Sequence, residues 1–157
     1  MIQLFQGMAA LAMALPILAA GVAVSYSQNA DPQTQQVVGA VVRFSAGSTS
    51  VDVVIGEDNP TVRDFLSLLP LTMELDEYAG HEKIGYFSRK LTTTGSPGSD
   101  PEDGDLIYFS TWGNIGFYYN ASGIDYSSQT IHMGKYNATM EQLEKLTQQL
   151  VQVKRIQ

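Results

Sequence analysis

The sequence predicts a mainly β fold, a barrel or sandwich capped by two helices. Three observations lead there. Short β-branched and aromatic runs recur along the chain, separated by Gly, Pro, Asn and Ser clusters. Only two stretches in the body of the chain carry apolar residues at helical spacing, one after the first pair of strands and one at the end. There is no cysteine, so a packed core and not disulfides must hold the fold.

In chain order, Val37–Phe44 and Val51–Ile55 read as a hairpin around Ser45-Ala46-Gly47-Ser48-Thr49-Ser50. Asn59 can cap a helix, and Pro60 suits its first position. Val62, Phe65, Leu66 and Leu69 then share one face, so helix Pro60–Leu69 packs on the sheet and Pro70 ends it. Leu71–Leu75 and Lys83–Phe87 are strands around the loop Asp76–Gly80. Thr94–Gly104 is a surface loop rich in Gly, Pro and acids. Leu106–Ser110 and Ile115–Tyr119 are aromatic-rich strands joined by a tight turn at Thr111-Trp112-Gly113-Asn114. Ile131–Tyr136 is the last strand. Thr139 and Gln142 form a capping box, and Leu143, Leu146, Leu150 and Val153 extend the predicted final helix over Met140–Ile156.

The N-terminus is of another kind. Met1–Gln28 has no charged side chain, and Met8–Val24 is almost wholly apolar, with small residues at Gly21-Val22-Ala23. Residues 1–23 read as a secretory signal peptide cleaved near Ala23. The alternatives are an uncleaved anchor, near the lower length limit for a spanning helix of roughly 17 residues, and a buried cytosolic helix. Polar residues 24–36 form a linker, and residues 37–157 form the domain.

All 9 Lys and Arg and all 16 Asp and Glu follow residue 30, so the net charge of −7 belongs to the domain. Such a surface repels phosphate backbones, and no basic run interleaves with aromatics; nucleic acid is not an expected partner. His81 and His132 lack metal-ligand spacing, and Ser99–Asp105 does not follow the calcium-loop pattern. No metal and no cofactor are expected.

Three segments stand in a telling order: Asn59-Pro60-Thr61-Val62-Arg63-Asp64-Phe65-Leu66, then Tyr86-Phe87-Ser88-Arg89, then Ile131-His132-Met133-Gly134-Lys135-Tyr136. In this order they resemble the cyclophilins, barrel-shaped peptidyl-prolyl isomerases, and more closely the small bacterial cyclophilin-like proteins. The resemblance covers most of the chain after about Val38. It implies a cyclophilin-like β-barrel, closed or nearly so, with one helix at each end.

Phe87-Ser88-Arg89 resembles the Phe-His-Arg segment of that family. The resemblance implies that Arg89 polarises a prolyl amide and that Phe87 lines the proline pocket. An amide rotation barrier of ~18–20 kcal/mol arises from C–N double-bond character, and a donor at the prolyl nitrogen weakens that resonance. Here Ser88 replaces the histidine, no Gln-Gly-Gly-Asp stretch follows, and Gly104-Asp105-Leu106-Ile107-Tyr108-Phe109 lacks the family's glutamine. Gly134 is expected to permit close backbone approach in the barrel. Trp112, beside a Gly-Asn turn, is the candidate ligand-binding residue.

The leading expectation is an exported binding or accessory domain of undefined ligand, using the face around Arg89 and Trp112, with a peptide or protein as the candidate partner. The alternatives are a peptidyl-prolyl isomerase acting outside the cytoplasm and a structural domain tethered by its N-terminus. The only membrane association expected is through the N-terminal segment, and the sequence does not specify an oligomeric state.

Overall fold

The structure, a computed structural model, describes residues 36–157; the export segment predicted at 1–23 and nearly all of the linker lie outside the described residues. The chain order is β1 (Val41–Ala46), β2 (Thr49–Ile55), α1 (Pro60–Ser67), β3 (Leu71–Met73), β4 (Asp76–Tyr78), β5 (Glu82–Tyr86), β6 (Asp105–Phe109), β7 (Asn114–Tyr118), β8 (Thr130–Tyr136), α2 (Met140–Thr147) and β9 (Val151–Arg155).

Nine strands form one antiparallel sheet in the order β3-β9-β1-β2-β8-β6-β7-β5-β4. Its edges are β3 and β4, strands adjacent in sequence. Glu74 and Leu75 alone join them. So short a link reaches at most about 11 Å, so the sheet must curl until its edges approach. The result is the expected mainly β, cyclophilin-like curl with two helices, a half-barrel in place of the closed or nearly closed barrel.

Alternation sets the core. Val42, Phe44, Val51, Val53, Leu106, Tyr108, Ile115, Phe117, Ile131 and Met133 point inward and are buried. Phe44 and Phe117 meet edge to face at 4.9 Å across the interior. Gly134 has the predicted role. A Cβ there would lie 2.3 Å from the Val54 carbonyl oxygen, so a side chain would force β8 away from β2.

Both helices start as the sequence predicts. Asn59 Oδ1 accepts from the Val62 N–H at 3.0 Å, with Pro60 in the first turn. Thr139 and Gln142 complete their capping box. Val62 and Phe65 of α1, and Leu143 and Leu146 of α2, enter the core.

The C-terminus corrects the predicted helix Met140–Ile156. The helix stops at Thr147, and Val151–Arg155 is a strand between β1 and β3. Val151 and Val153 alternate into the core, whereas Leu150, assigned to the helical stripe, is exposed. A period of two with β-branched residues wins over the i, i+3 coincidence of Leu150 and Val153. A second correction is β4, read from sequence as a loop. All three of its residues are exposed, so no burial alternation marks it.

Candidate functional site

The loop after β5 is tied to α1 and to β6 by specific hydrogen bonds. Thr61 Oγ1 donates to the Thr92 carbonyl at 2.8 Å. The Leu91 N–H donates to the Tyr108 hydroxyl at 2.9 Å. Lys90 Nζ donates to the Thr111 carbonyl at 2.9 Å, crossing to the β6–β7 turn. These bonds bring the segments holding Phe87, Arg89 and Trp112 to the same end of the barrel.

Within that end, the three predicted residues take different surroundings. Strand β5 ends at Tyr86, so strand alternation no longer governs Phe87 and Arg89. Phe87 is half-buried, with its ring 5.8 Å from Phe65 and 6.1 Å from Tyr108. It walls a small cleft of about 130 Å³ together with Leu68, Leu71, Thr72, Tyr86 and Ser88. Arg89 is not a wall of that cleft. Its Nη2 donates to Asp64 Oδ1 at 2.6 Å and its Nη1 to Asp64 Oδ2 at 2.9 Å.

Asp64 is the residue that sequence reading missed. It is mostly buried, and its Oδ2 also accepts the Thr92 N–H at 2.7 Å. The Arg89 guanidinium and the Thr92 N–H hold its carboxyl well below the ordinary carboxylate range, although burial opposes them. The same pairing raises Arg89. A two-point guanidinium–carboxylate pair is among the stronger charge-assisted contacts.

Trp112 lies on the outer surface. Its indole stands edge-on between Tyr78 at 5.1 Å and Phe109 at 5.3 Å, and the residue is 43% exposed. Tyr78 belongs to β4 and Phe109 to β6, so the indole spans the outer face of β5 and β7 between them. Tyr86 is exposed on this face, two residues beyond Ile84 and four beyond Glu82. Tyr108 and Phe117, from the two aromatic-rich strands, belong to the core.

One acidic group on the outer face was also missed. Glu82 is only 7% exposed, and its Oε2 has no hydrogen-bond partner. The carboxylate lies against Gly116, where a Cβ would fall 1.7 Å from Oε2. Burial pushes the Glu82 carboxyl up to about 7. Tyr118, in register with it, is pushed up to about 12, again mainly by burial.

His132 is enclosed by carboxylates. Its Nδ1 is 3.2 Å from Glu57 Oε1, and its Nε2 is 3.4 Å from Asp105 Oδ1, an ionic contact and not an aligned hydrogen bond. Asp105 is buried and also accepts from Lys135 Nζ at 2.8 Å. Asp105 raises the His132 imidazole, with help from Glu57. Both ring nitrogens face carboxylates, which favours the protonated ring. Among the described residues, no set of three or more His, Asp and Glu is arranged to hold a metal, and no helix is long and apolar enough to cross a membrane.

The family model described as the cyclophilin-like family matches residues 44–154. Among solved structures, the chain is similar to the hypothetical protein AF2241 from Archaeoglobus fulgidus, solved in solution. The TM-score is 0.60 at 20% identity, covering 77% of this chain and 98% of that one. That likeness concerns the fold. No curated protein matches the chain. The family match spans most of the described residues and includes Asp64, Phe87, Arg89 and Trp112: this chain belongs to the cyclophilin-like family.

Proposed function

We propose that this chain is an exported, non-catalytic binding module that takes a peptide or protein segment on its outer aromatic face. The observation that carries the reading is the Asp64–Arg89 pair. The arginine that the family resemblance would assign to a prolyl amide is spent on a carboxylate inside the same molecule. To reach a substrate it would have to leave two hydrogen bonds and strand a mostly buried Asp64. Phe87 faces a cleft too small for much more than a ring, and Arg89 lies outside it.

The aromatic face supports binding without chemistry. Tyr78, Tyr86 and Trp112 offer exposed rings with few rotatable bonds, and Lys90 crosses the adjoining turn. Rigid aromatics of this sort are common anchors for a peptide or protein. Trp112 is the only tryptophan, so its fluorescence reports on this face alone. Titration with a library of unstructured peptides should shift Trp112 emission for a subset, and Tyr86→Ala should weaken that response. A response from none would remove the proposed site.

Export is part of the proposal and rests on the uncharged apolar stretch Met8–Val24. Mass spectrometry of the protein from its host should find an N-terminus near Val24. Recovery of intact Met1–Val24 in membranes would favour the tethered alternative.

A further inference from the structure

We propose a second binding site, for a single-chain anionic amphiphile, in the groove between α1 and the end of β9. The groove has a volume of about 570 Å³, within the range of roughly 300–1,000 Å³ typical of small-molecule sites. Its apolar floor is made by Val37, Leu66, Leu69 and Pro70. Past Pro70 and Lys154 it adjoins a second hollow of about 380 Å³ over Leu71 and Val153, which extends the apolar track. It shares no residue with the aromatic face around Trp112.

Charge selects the ligand. Six of the nine Lys and Arg hold carboxylates: Arg43, Arg63, Lys83, Arg89, Lys135 and Lys145. Among the described residues Lys90 and Lys154 do not, and Lys90 donates to a main-chain carbonyl. Lys154 lines this groove beside Arg155. Arg155 commits Nε to the carboxyl oxygen of Gln157, the last residue of the sequence, and Nη2 to the Gln36 carbonyl, which orients the guanidinium and leaves Nη1 over. Lys154 stands directly across from Arg43 in the β1–β9 register, although like charges in that position cost stability. In a chain of net charge −7, Lys154, with no carboxylate partner among the described residues, and the remaining Arg155 Nη1 at the rim of one apolar groove match an acidic head with an apolar tail.

The tail would lie along Leu66, Leu69 and Pro70, and the head would meet Lys154 and Arg155. The apolar side chains are recessed in a concavity. That shape suits a monomeric amphiphile better than a membrane surface, which apolar side chains would have to reach by projecting outward.

Carboxyl-labelled dodecanoate, titrated below its micelle concentration into the purified full chain and followed by carbon NMR, tests this. The expected result is one saturable bound resonance. Lys154→Glu should weaken binding by about tenfold or more, while Lys145→Glu on α2 leaves it unchanged, with both variants melting like the parent. Dodecyltrimethylammonium, with the same tail and the opposite charge, should not compete. The proposal is overturned by absence of saturable binding, by equal binding in Lys154→Glu, or by effective competition from the cationic amphiphile. Binding to phosphatidylglycerol vesicles without binding of the monomer would overturn it in favour of a membrane-facing surface.

Discussion

Asp64 on α1 and Arg89 in the loop after β5 are joined by two hydrogen bonds of 2.6 and 2.9 Å, across a sequence separation of 25 residues. The pair ties the loop to the helix that closes this end of the barrel. It also determines what Arg89 is free to do.

Replacing Asp64 by Asn should loosen the loop. The change removes the ion pair and weakens the acceptor for the Thr92 N–H, at a cost of about 1–2 kcal/mol. The Asp64 carboxyl is depressed in the folded state, so its contribution is present above the unfolded carboxylate value and is lost as pH falls through the folded one. Urea unfolding of parent and variant should therefore converge in strong acid. Equal stability at neutral pH would show that the pair does not hold the loop.

His132 should act in the opposite direction. Asp105 and Glu57 raise its folded value. Its contribution is then fully present below about pH 6.5, the ordinary histidine value, and is lost as pH rises through the folded value. Lys135 shares the cluster with Asp105, and the carboxylates beside it raise its ammonium, which keeps it outside this window. His132→Asn should lose more stability at mildly acidic pH than at pH above about 8. A stability deficit independent of pH would mean that only packing was lost.

Glu82 should be better replaced. Its folded value is raised to about 7, so charging it against burial costs stability progressively as pH rises from the unfolded value near 4.5 to about 7. Glu82→Gln should stabilise the protein by about 1–3 kcal/mol above that range, after allowance for solvent screening, and be nearly neutral in acid. Gly116→Ala should destabilise to the extent that its methyl forces the end of the buried Glu82 side chain to move. Thermal melts across pH check both. Destabilisation by Glu82→Gln at pH 8 would show that the charge has a partner in solution.

Much of the fold was legible because burial follows local periodicity. Phe44, Val53, Phe117 and Met133 alternate, and Val62 and Phe65 fall on one helical face. The tail was harder, since Leu143 and Leu146 fit a helix whether or not it continues. Only the core position of Val151 reveals the strand. The site was less legible for a different reason. Asp64 meets Arg89, and Glu57 meets His132, through long-range closure of the barrel that no local spacing encodes. Trp112 could be singled out in sequence, but its partner Tyr78 lies on an exposed edge strand that carries no pattern.

Trp112→Ala should cost about 1 kcal/mol from its two edge-on aromatic contacts and should abolish peptide binding on the outer face. Isothermal titration with any peptide found to shift Trp112 emission checks this. Undiminished affinity in the variant would place the binding face elsewhere.

The most direct test of the central claim is a protease-coupled isomerisation assay on a Xaa-Pro peptide, comparing the parent with Arg89→Ala. The expected result is the uncatalysed rate for both, because Asp64 holds the guanidinium. Robust turnover by the parent that disappears in Arg89→Ala would contradict the account and make this chain a prolyl isomerase.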